Sequence, residues 1–346
     1  MKKVLVGISG GVDSAVTAAL LKEQGFEVIG ITFVFTEDFD TSDAKVVCDR
    51  LGIKHLIVDY KKEFKENVIN KFINDYKNGI TPNPCILCNR YVKFQFLYEQ
   101  MIINYCDYIA TGHYAKVIDG SLYKGDDKNK DQSYFLCELT KQQLNHVLFP
   151  LEKITKEETR KIAKDYGLVV ADKKDSYDVC FINNSFKEFI SKNSNNEEGY
   201  VINVLDNKVI GKHTGLSKYT IGQRKGLNIG GFEDRMYVVG KNIDKNILYI
   251  ATGDDNSYLI STSCVLDEVN ILEPLEDKMY TAKFRYRQDV NEVYIKYEDD
   301  KFIVEYKQGI KSVTPGQICA IYDGEKCIAG GIIKEVRKNN EKLWYI

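Results

Sequence analysis

Short apolar runs alternate with amphipathic segments along the first half of the chain. Buried strands are indicated at 4–8, 27–33, 55–58 and 108–110, and helices at 42–51, 64–76, 94–105 and in the segment that ends at Gly25. This alternation predicts an α/β fold, a Rossmann-like parallel sheet covered on both faces by helices. Because ligands bind beyond the carboxyl ends of such strands, we expect residues 9–14, Phe33 and residues 111–113 to share one edge of the sheet.

The pattern changes in the middle of the chain. A capping box at Thr155 and Glu158 predicts one more helix, which stops at Gly167. The polar stretch 191–199 is poor in apolar residues and indicates a linker. The segment 211–231 is rich in Gly, Lys and Arg and has little periodicity, which is typical of a small module with functional loops.

Strict alternation of apolar and polar residues appears only near the carboxyl terminus. The runs 292–297 and 302–306 are joined by turn residues and are not separated by a helix. They predict a C-terminal antiparallel β-barrel. We therefore predict three domains, a catalytic domain at 1–195, a small central domain at 196–258 and the barrel at 259–346.

Composition restricts the setting in which the protein works. A chain of 346 residues exceeds one ordinary core, and its net charge of −2 requires that any RNA contact come from a local basic face. No segment has the apolar length that crosses a bilayer, and the first strand begins too early for a signal peptide. The nine cysteines are not expected to form a disulfide framework in a reducing compartment. We expect a cytoplasmic protein with no membrane partner.

The loop at 9–14, Ser-Gly-Gly-Val-Asp-Ser, joins the first strand to the first helix. A turn of small residues before a helix is an anion site, because the first N–H groups of the helix have no internal partner. A Walker A loop would carry Lys where this chain has Asp13. An acidic residue beside phosphates is expected to help hold a neutralising metal ion, here Mg²⁺. The loop resembles the PP-loop of N-type ATP pyrophosphatases, which cut ATP between its α and β phosphates.

The thiols of a Cys-x-x-Cys pair form the second informative group. Cys85 and Cys88 follow two prolines, which place them on a stiff loop or at a helix start. A thiol at a helix N-terminus beside Arg90 and Lys93 is expected to have a lowered pKa. A third thiol, Cys180, follows lysines and a polar turn.

These segments together resemble the tRNA-specific 2-thiouridylases of the MnmA family. The resemblance rests on 9–14, 83–89, 110–114, 130–136, 173–181, 215–227 and 284–288, so it runs from the first strand into the barrel. It implies an enzyme that uses ATP to adenylate the 2-oxo group of the wobble uridine of tRNA and then replaces that oxygen with sulfur. It also implies tRNA, through its anticodon stem-loop, and a sulfur donor such as a cysteine desulfurase or sulfur carrier as partners.

The same resemblance implies roles for individual residues. Cys180 matches a cysteine that carries a persulfide, and Cys88 matches a cysteine that releases the sulfur by forming a disulfide with it. ATP contacts are implied for Gly7, Ile8, Ser9, Gly10, Gly11, Val12, Asp13, Ser14, Phe33 and Gly112, with Asp13 near Mg²⁺. Target-base contacts are implied for Asn83, Pro84 and Cys85, and tRNA contacts for Lys130, Asp131, Gln132, Arg285 and Tyr286.

One residue departs from the family pattern. Well-known members carry Asp where this chain has Cys85, and a thiol is a weak acceptor and a soft metal ligand. Cys85, Cys88 and Cys180 could therefore hold three irons of a 4Fe-4S cluster whose fourth iron binds sulfide. A zinc site at Cys85 and Cys88 would lack the remaining ligands.

Two other classes of function stay open at this stage. A PP-loop synthetase would adenylate a carbonyl and attack it with a nitrogen nucleophile, and it would not need Cys88 and Cys180. A tRNA-binding or sulfur-carrier protein would keep the fold without releasing pyrophosphate from ATP.

Overall fold

The first part of the chain folds around a five-stranded parallel sheet. The computed structural model describes residues 1–174, 179–182, 185–194, 197–227, 229, 234–253 and 256–346. Its first elements are β1 (Lys3–Gly7), α1 (Val12–Glu23), β2 (Glu27–Val34), α2 (Ser42–Leu51), β3 (Lys54–Asp59), α3 (Lys61–Phe64), α4 (Asn70–Lys77), α5 (Pro84–Cys88), α6 (Phe94–Ile103), β4 (Tyr108–Ala110), β5 (Ala115–Ile118), β6 (Ser121–Lys124), α7 (Lys141–Leu144), β7 (Val147–Leu148), α8 (Lys156–Asp165) and α9 (Phe186–Asn193).

Strand β1 lies at the centre of this sheet, whose order is β3-β2-β1-β4-β7. It pairs in parallel with β2 on one side and β4 on the other, with Val4 opposite Val28 and Tyr108. Val4, Leu5 and Val6 are fully buried, because helices cover both faces of the sheet. The predicted parallel sheet is confirmed, and the carboxyl ends of β1, β2 and β4 meet at one edge.

The helix predicted at 64–76 is interrupted. It consists of α3, a π-helical turn (Lys65–Ile69) and α4, and a second π turn (Asn89–Lys93) joins α5 to α6. The two π turns contact each other. A π turn holds one residue more than an α turn, so the face that the following helix presents is shifted, and such turns occur frequently at functional sites.

The predicted helix that begins at Thr155 is confirmed. The Thr155 side chain accepts from the Glu158 N–H, the Glu158 carboxylate accepts from the Thr155 N–H, and Gly167 after the helix has φ +62°. The linker predicted at 191–199 is wrong in part, because α9 extends to Asn193. Its amphipathic spacing buries Ile190, which keeps the residues after it helical.

The second part of the chain forms two further sheets. The first contains β8 (Gly199–Asn203), β9 (Val209–His213), β10 (Met236–Asn242) and β11 (Ile247–Thr252), in the order β10-β11-β8-β9. The second contains β12 (Ile260–Ile271), β13 (Tyr280–Lys283), β14 (Asn291–Glu298), β15 (Lys301–Lys311), β16 (Ile318–Asp323), β17 (Lys326–Lys338) and β18 (Glu341–Lys342).

The predicted C-terminal barrel is confirmed as a closed antiparallel barrel. Its strands follow the order β12-β15-β14-β13-β16-β17, and pairing between β12 and β17 closes it. The hairpin β5–β6 from the first part of the chain adds to the barrel, with Tyr123 opposite Lys326. The domain bounds 1–195, 196–258 and 259–346 stay predictions. Among the described residues no helix has the length and apolar content that a membrane span requires.

Candidate active site

The loop after β1 holds its shape by internal hydrogen bonds. The Ser9 N–H donates to Ser14 Oγ at 3.2 Å, and Ser14 Oγ donates to the Gly11 carbonyl at 3.1 Å. Gly10 has φ +72°, a conformation that favours glycine. Gly11 caps α1 without a side-chain hydrogen bond, so the first N–H groups of α1 are left without a capping side chain. This arrangement fits the phosphates of a nucleotide.

Asp13 lies in the first turn of α1 and is bound by two side chains. Lys156 Nζ donates to Asp13 Oδ1 at 2.6 Å and to Oδ2 at 2.8 Å, and the Tyr114 hydroxyl donates to Oδ1 at 2.8 Å. The Lys156 side chain is only 13% exposed. An ammonium thus binds both Asp13 oxygens, and the role of Asp13 near Mg²⁺ stays a prediction.

Gly112 and Phe33 flank the loop at the same edge of the sheet, as predicted. A Cβ on Gly112 would lie 2.7 Å from the Asp13 carbonyl carbon and 2.8 Å from the Ser14 nitrogen, so only glycine allows this close approach to α1. The Phe33 ring is buried against Tyr60, with ring centroids 5.3 Å apart. His113 is half-buried, and Thr111 Oγ1 lies 2.7 Å from its Nδ1.

Barrel residues clamp the segment that precedes the cysteine pair. The Thr81 N–H donates to the Pro315 carbonyl at 3.1 Å, and Gln317 Nε2 donates to the Thr81 carbonyl at 2.7 Å. Lys241 of β10 donates to the Gly79 carbonyl at 3.2 Å. Gly316 (φ +87°) permits this close approach, since a Cβ there would lie 2.2 Å from Ile80 Cγ2. The orientation of α5 therefore depends on the barrel and on β10.

The three candidate thiols share one electrostatic environment, although Cys180 is far from the other two in sequence. The thiols of Cys85 and Cys88 each interact with the thiol of Cys180, and the charge of Lys93 acts on all three. The Lys93 N–H also donates to the Cys88 sulfur across the π turn. Cys85 and Cys180 are exposed, whereas Cys88 is buried, and all three are free thiols.

The prediction of lowered thiol pKa values is wrong. Desolvation raises the pKa of Cys88 to about 12 and also raises the pKa of Cys85 and of Cys180. Lys93 opposes this rise at each of them but does not overcome it. The Arg90 guanidinium forms ion pairs with Glu138 at 2.7 Å and with Glu268 at 3.4 Å.

The segment that leads to Cys180 is fastened to the nucleotide loop. Lys173 Nζ donates to the Gly10 carbonyl at 3.1 Å and pairs with Asp43 of α2. Residues 175–178, which the resemblance includes, lie outside the described residues. The bond at Gly10 nevertheless places the start of the Cys180 segment beside the phosphate loop.

The 4Fe-4S cluster predicted on Cys85, Cys88 and Cys180 does not fit this geometry. Within the part of the chain that the structure describes, which includes these cysteines, no three Cys, His, Asp or Glu side chains are close enough to hold a metal ion. No step is derived through such a cluster.

Two of the predicted tRNA-contacting segments lie together. Tyr286 packs on Phe135 with ring centroids 4.5 Å apart, and the charges of Lys130 and Asp131 act on its hydroxyl. Asp131 itself is buried, and it accepts hydrogen bonds from the N–H groups of Gly125 and Ser133, both at 3.1 Å. Its carboxylate shapes the loop and is not directed to solvent.

Two further predicted tRNA contacts also make internal bonds. The Gln132 side chain accepts from the Tyr114 N–H at 3.0 Å. A single Arg285 nitrogen donates to the carbonyls of Ile221 and Ser312 and to Thr314 Oγ1 at 3.0, 2.9 and 2.7 Å. Arg285 thus joins the barrel to residues before β10, and this nitrogen of its guanidinium is occupied by protein acceptors.

Sequence reasoning missed Lys156 and Tyr114 as neighbours of the nucleotide loop. Lys156 is the first residue of α8, where a cation is disfavoured by the helix dipole. This unfavourable position could have revealed the role of Lys156, because it indicates that an anionic group from another part of the chain compensates the charge of the lysine. Nothing in the sequence around Tyr114 indicates its bond to Asp13.

Comparison with known proteins gives three matching families along the chain. Residues 2–184 match the tRNA methyl transferase HUP domain, residues 187–252 the tRNA methyl transferase PRC-barrel domain, and residues 261–333 the aminomethyltransferase β-barrel domain.

Curated relatives match over the full length. The chain is 42% identical to the tRNA-specific 2-thiouridylase MnmA of Mycoplasmopsis synoviae, a match that covers 100% of this chain and 99% of that protein. It is 44% identical to the tRNA-specific 2-thiouridylase MnmA of Geobacillus thermodenitrificans and 45% identical to tRNA-specific 2-thiouridylase MnmA 2 of Geobacillus kaustophilus. Each of these two matches covers 99% of this chain and 98% of the relative.

Proposed function

The chain belongs to the family of tRNA-specific 2-thiouridylases and is a tRNA-uridine 2-sulfurtransferase, and we propose that it works by adenylation followed by persulfide transfer. The substrate is the wobble uridine of tRNA, and ATP supplies the leaving group. The mutual proximity of Cys88 and Cys180, next to a segment bonded to the phosphate loop, carries this proposal.

In the first step the nucleotide loop binds ATP. The free N–H groups at the start of α1 and the Gly10–Ser14 turn would hold the phosphates, and Gly112 would leave room for them. The uridine 2-oxo oxygen attacks the α-phosphorus, pyrophosphate leaves, and the base carries AMP on O2. This step converts a poor leaving group into a good one. Asp13 would hold Mg²⁺ beside the phosphates, and the ion would neutralise their charge.

In the second step a persulfide on Cys180 supplies sulfur. Its outer sulfur attacks C2 of the adenylated base and AMP departs, which leaves the base joined to Cys180 through a disulfide. The Cys88 thiolate then attacks the Cys180 sulfur. The S–S bond to the base breaks, 2-thiouridine is released, and Cys88 and Cys180 form a disulfide that an external dithiol must reduce.

The burial of Cys88 supports a release step that is protected from water. A thiolate that is scarce in the resting enzyme is not lost to side reactions, and Lys93 is placed to favour the anion when the reaction requires it. Exposed Cys180 is accessible to a sulfur donor such as a cysteine desulfurase or sulfur carrier, whereas buried Cys88 is not.

The tRNA is proposed to lie across the surface that contains Lys130 and Tyr286. Its target base must leave the anticodon stack to reach Cys85 and the nucleotide loop. Asn83 is the N-cap of α5, and Pro84 is the first residue of that helix. Both shape the turn that would receive the base.

The test is reconstitution with unmodified tRNA, ATP and a persulfide donor. We expect one pyrophosphate and one AMP for each 2-thiouridine, measured by nucleoside mass spectrometry. Cys88→Ser and Cys180→Ser should abolish 2-thiouridine while tRNA-dependent pyrophosphate release continues. Cys106→Ser is the matched control, because that half-buried thiol donates to the Asn104 carbonyl, outside the candidate site, and its loss should leave the product yield unchanged. Full thiolation by both active-site serine variants would contradict the proposed mechanism.

A further inference from the structure

Two hydrogen-bonded paths end on Asp13 of the nucleotide loop, and both begin in the segment 125–133; the Tyr114 hydroxyl also donates to Thr159 Oγ1 of α8 at 3.0 Å, which ties the two paths together. The first path runs through Tyr114. The Gln132 N–H donates to the Tyr114 carbonyl at 2.8 Å, and the Tyr114 N–H donates to the Gln132 side chain at 3.0 Å. The Tyr114 hydroxyl then donates to Asp13 at 2.8 Å. Tyr114 is 1% exposed, so its position follows that of its partners.

The second path runs through Lys156. Its N–H donates to Asp127 Oδ2 at 3.2 Å, and its ammonium binds both Asp13 oxygens. Asp127 also accepts, through its carbonyl, from the N–H of Lys130 at 2.9 Å. A displacement of Lys130 therefore acts on Asp127 and Lys156, and through Lys156 on Asp13.

The residues around these hydrogen bonds are tightly packed. A Cβ on Gly125 would lie 2.9 Å from the Tyr114 carbonyl, and a Cβ on Gly112 would lie 2.9 Å from Asp13 Cβ. The segment 125–133 is thus pressed against Tyr114, and the backbone after β4 is pressed against the start of α1. Tightly packed contacts transmit small shifts and do not absorb them.

We infer that Tyr114 and Lys156 are positioning residues that couple tRNA on the segment 125–133 to ATP on the nucleotide loop, through Asp13. This inference rests on the proposed function, since it takes tRNA to be the ligand of that segment. In this arrangement the two paths meet at Asp13. When tRNA binds the segment 125–133, it holds Tyr114 and Lys156 in place, and the nucleotide loop then binds the triphosphate best. The consequence is that ATP is split mainly when the acceptor base is present.

Coupling of this kind is reciprocal, so it can be measured as binding. The probe is α,β-methylene ATP, whose bridge cannot be cut, titrated with and without an unmodified anticodon stem-loop. We expect the stem-loop to tighten analogue binding by about five-fold or more in the unaltered protein. Tyr114→Phe keeps the ring and removes the hydroxyl, and Lys156→Met keeps the length and removes the charge. In either variant the stem-loop should tighten analogue binding by less than about two-fold. The affinity for the stem-loop itself, measured in the absence of nucleotide, should be unchanged.

The matched control is Tyr166→Phe. It also removes a hydroxyl that binds a carboxylate of α1, at 2.7 Å from Glu23, but at the far end of that helix. In the Tyr166→Phe variant the stem-loop should tighten analogue binding as much as it does in the unaltered protein. Tightening that persists in Tyr114→Phe and Lys156→Met, or is absent from the unaltered protein, overturns the inference. If the unaltered protein forms no 2-thiouridine, the proposed function is overturned instead, so the two failures are distinguishable.

Discussion

The Lys173 ammonium donates a hydrogen bond to the Gly10 carbonyl at 3.1 Å, and this bond joins the Cys180 segment to the phosphate loop. We expect Lys173→Met to weaken ATP binding, because the loop loses the tie that holds it against α2. A partly exposed bond of this type contributes about 1 kcal/mol, which corresponds to about a five-fold rise in the KM for ATP. The measurement is pyrophosphate release against ATP concentration. Lys164→Met, which removes an exposed pair with Asp172, is the control and should leave the KM unchanged.

Gly112 is expected to be intolerant of any side chain. Its added Cβ would lie under 3 Å from backbone atoms of Asp13 and Ser14, so Gly112→Ala must push the start of α1 away from the end of β4. Overpacking of this kind costs about 1–3 kcal/mol, and we expect the KM for ATP to rise at least about five-fold. Gly211→Ala is the control, since its Cβ would meet only Ile229 at 3.7 Å. An unchanged KM in Gly112→Ala would show that the close approach has no bearing on nucleotide binding.

The release of 2-thiouridine should depend steeply on pH. Burial raises the pKa of Cys88 to about 12, so below that value the thiolate fraction increases about ten-fold for each pH unit. We expect the single-turnover rate of release from persulfidated enzyme to rise accordingly between about pH 7 and pH 9. Removing the Lys93 charge that opposes this pKa rise should lower the rate at every pH in that interval.

The Lys93 effect has its own control. Lys93→Met should slow release by about ten-fold while pyrophosphate release is retained, and Lys77→Met, at an exposed site on α4, should have no effect on either. A release rate that does not vary with pH in the unaltered enzyme would mean that the attack on the Cys180 sulfur is not limited by the Cys88 thiolate.

Lys241 should make the stability of the protein depend on pH. Burial lowers the pKa of Lys241 to about 7 from its ordinary 10.5. Between these values the unfolded chain binds a proton that the folded protein does not, so stability rises as pH increases from about 7. Below about pH 7 the fold carries the full cost of a buried ammonium.

The corresponding variant is Lys241→Met, which removes that cost. We expect its unfolding midpoint to exceed that of the unaltered protein by several degrees at about pH 6 and by less at about pH 9. Lys208→Met, at an exposed lysine of the neighbouring turn, should show no such difference between the two pH values. If Lys241→Met shifts the unfolding midpoint equally at both pH values, the pKa assigned to Lys241 is contradicted.

Local pattern was sufficient for the elements and for the loop at 9–14, because strand length, caps and small residues act within a few positions of the chain. It was insufficient for Lys156, whose partner Asp13 is supplied by the packing of α8 on α1. The same limit applies to Arg285 and Asp131. Their charges indicated an RNA surface, but tertiary structure directs them to protein partners.

The thiol pKa values were mispredicted for a related reason. The helix start and Lys93 favour the thiolate, and both are visible in the sequence. Desolvation opposes them, and its size depends on how deeply α5 is buried, which the sequence around Cys88 does not show. The departure from the family pattern at Cys85 stays a prediction, and its consequence for metal binding depends on where Cys180 lies relative to α5.

The clamp on Thr81 has a consequence for how the enzyme is made. Both of its backbone groups bond to barrel atoms, and the Gly79 carbonyl bonds to Lys241, so these three partners of the segment lie later in the chain. Domains fold from the amino terminus during synthesis. A nascent chain can therefore complete the phosphate loop while the turn before α5 is still unsupported. The sulfur chemistry becomes competent only after the ribosome has released the barrel, so activity matures last and as a single event.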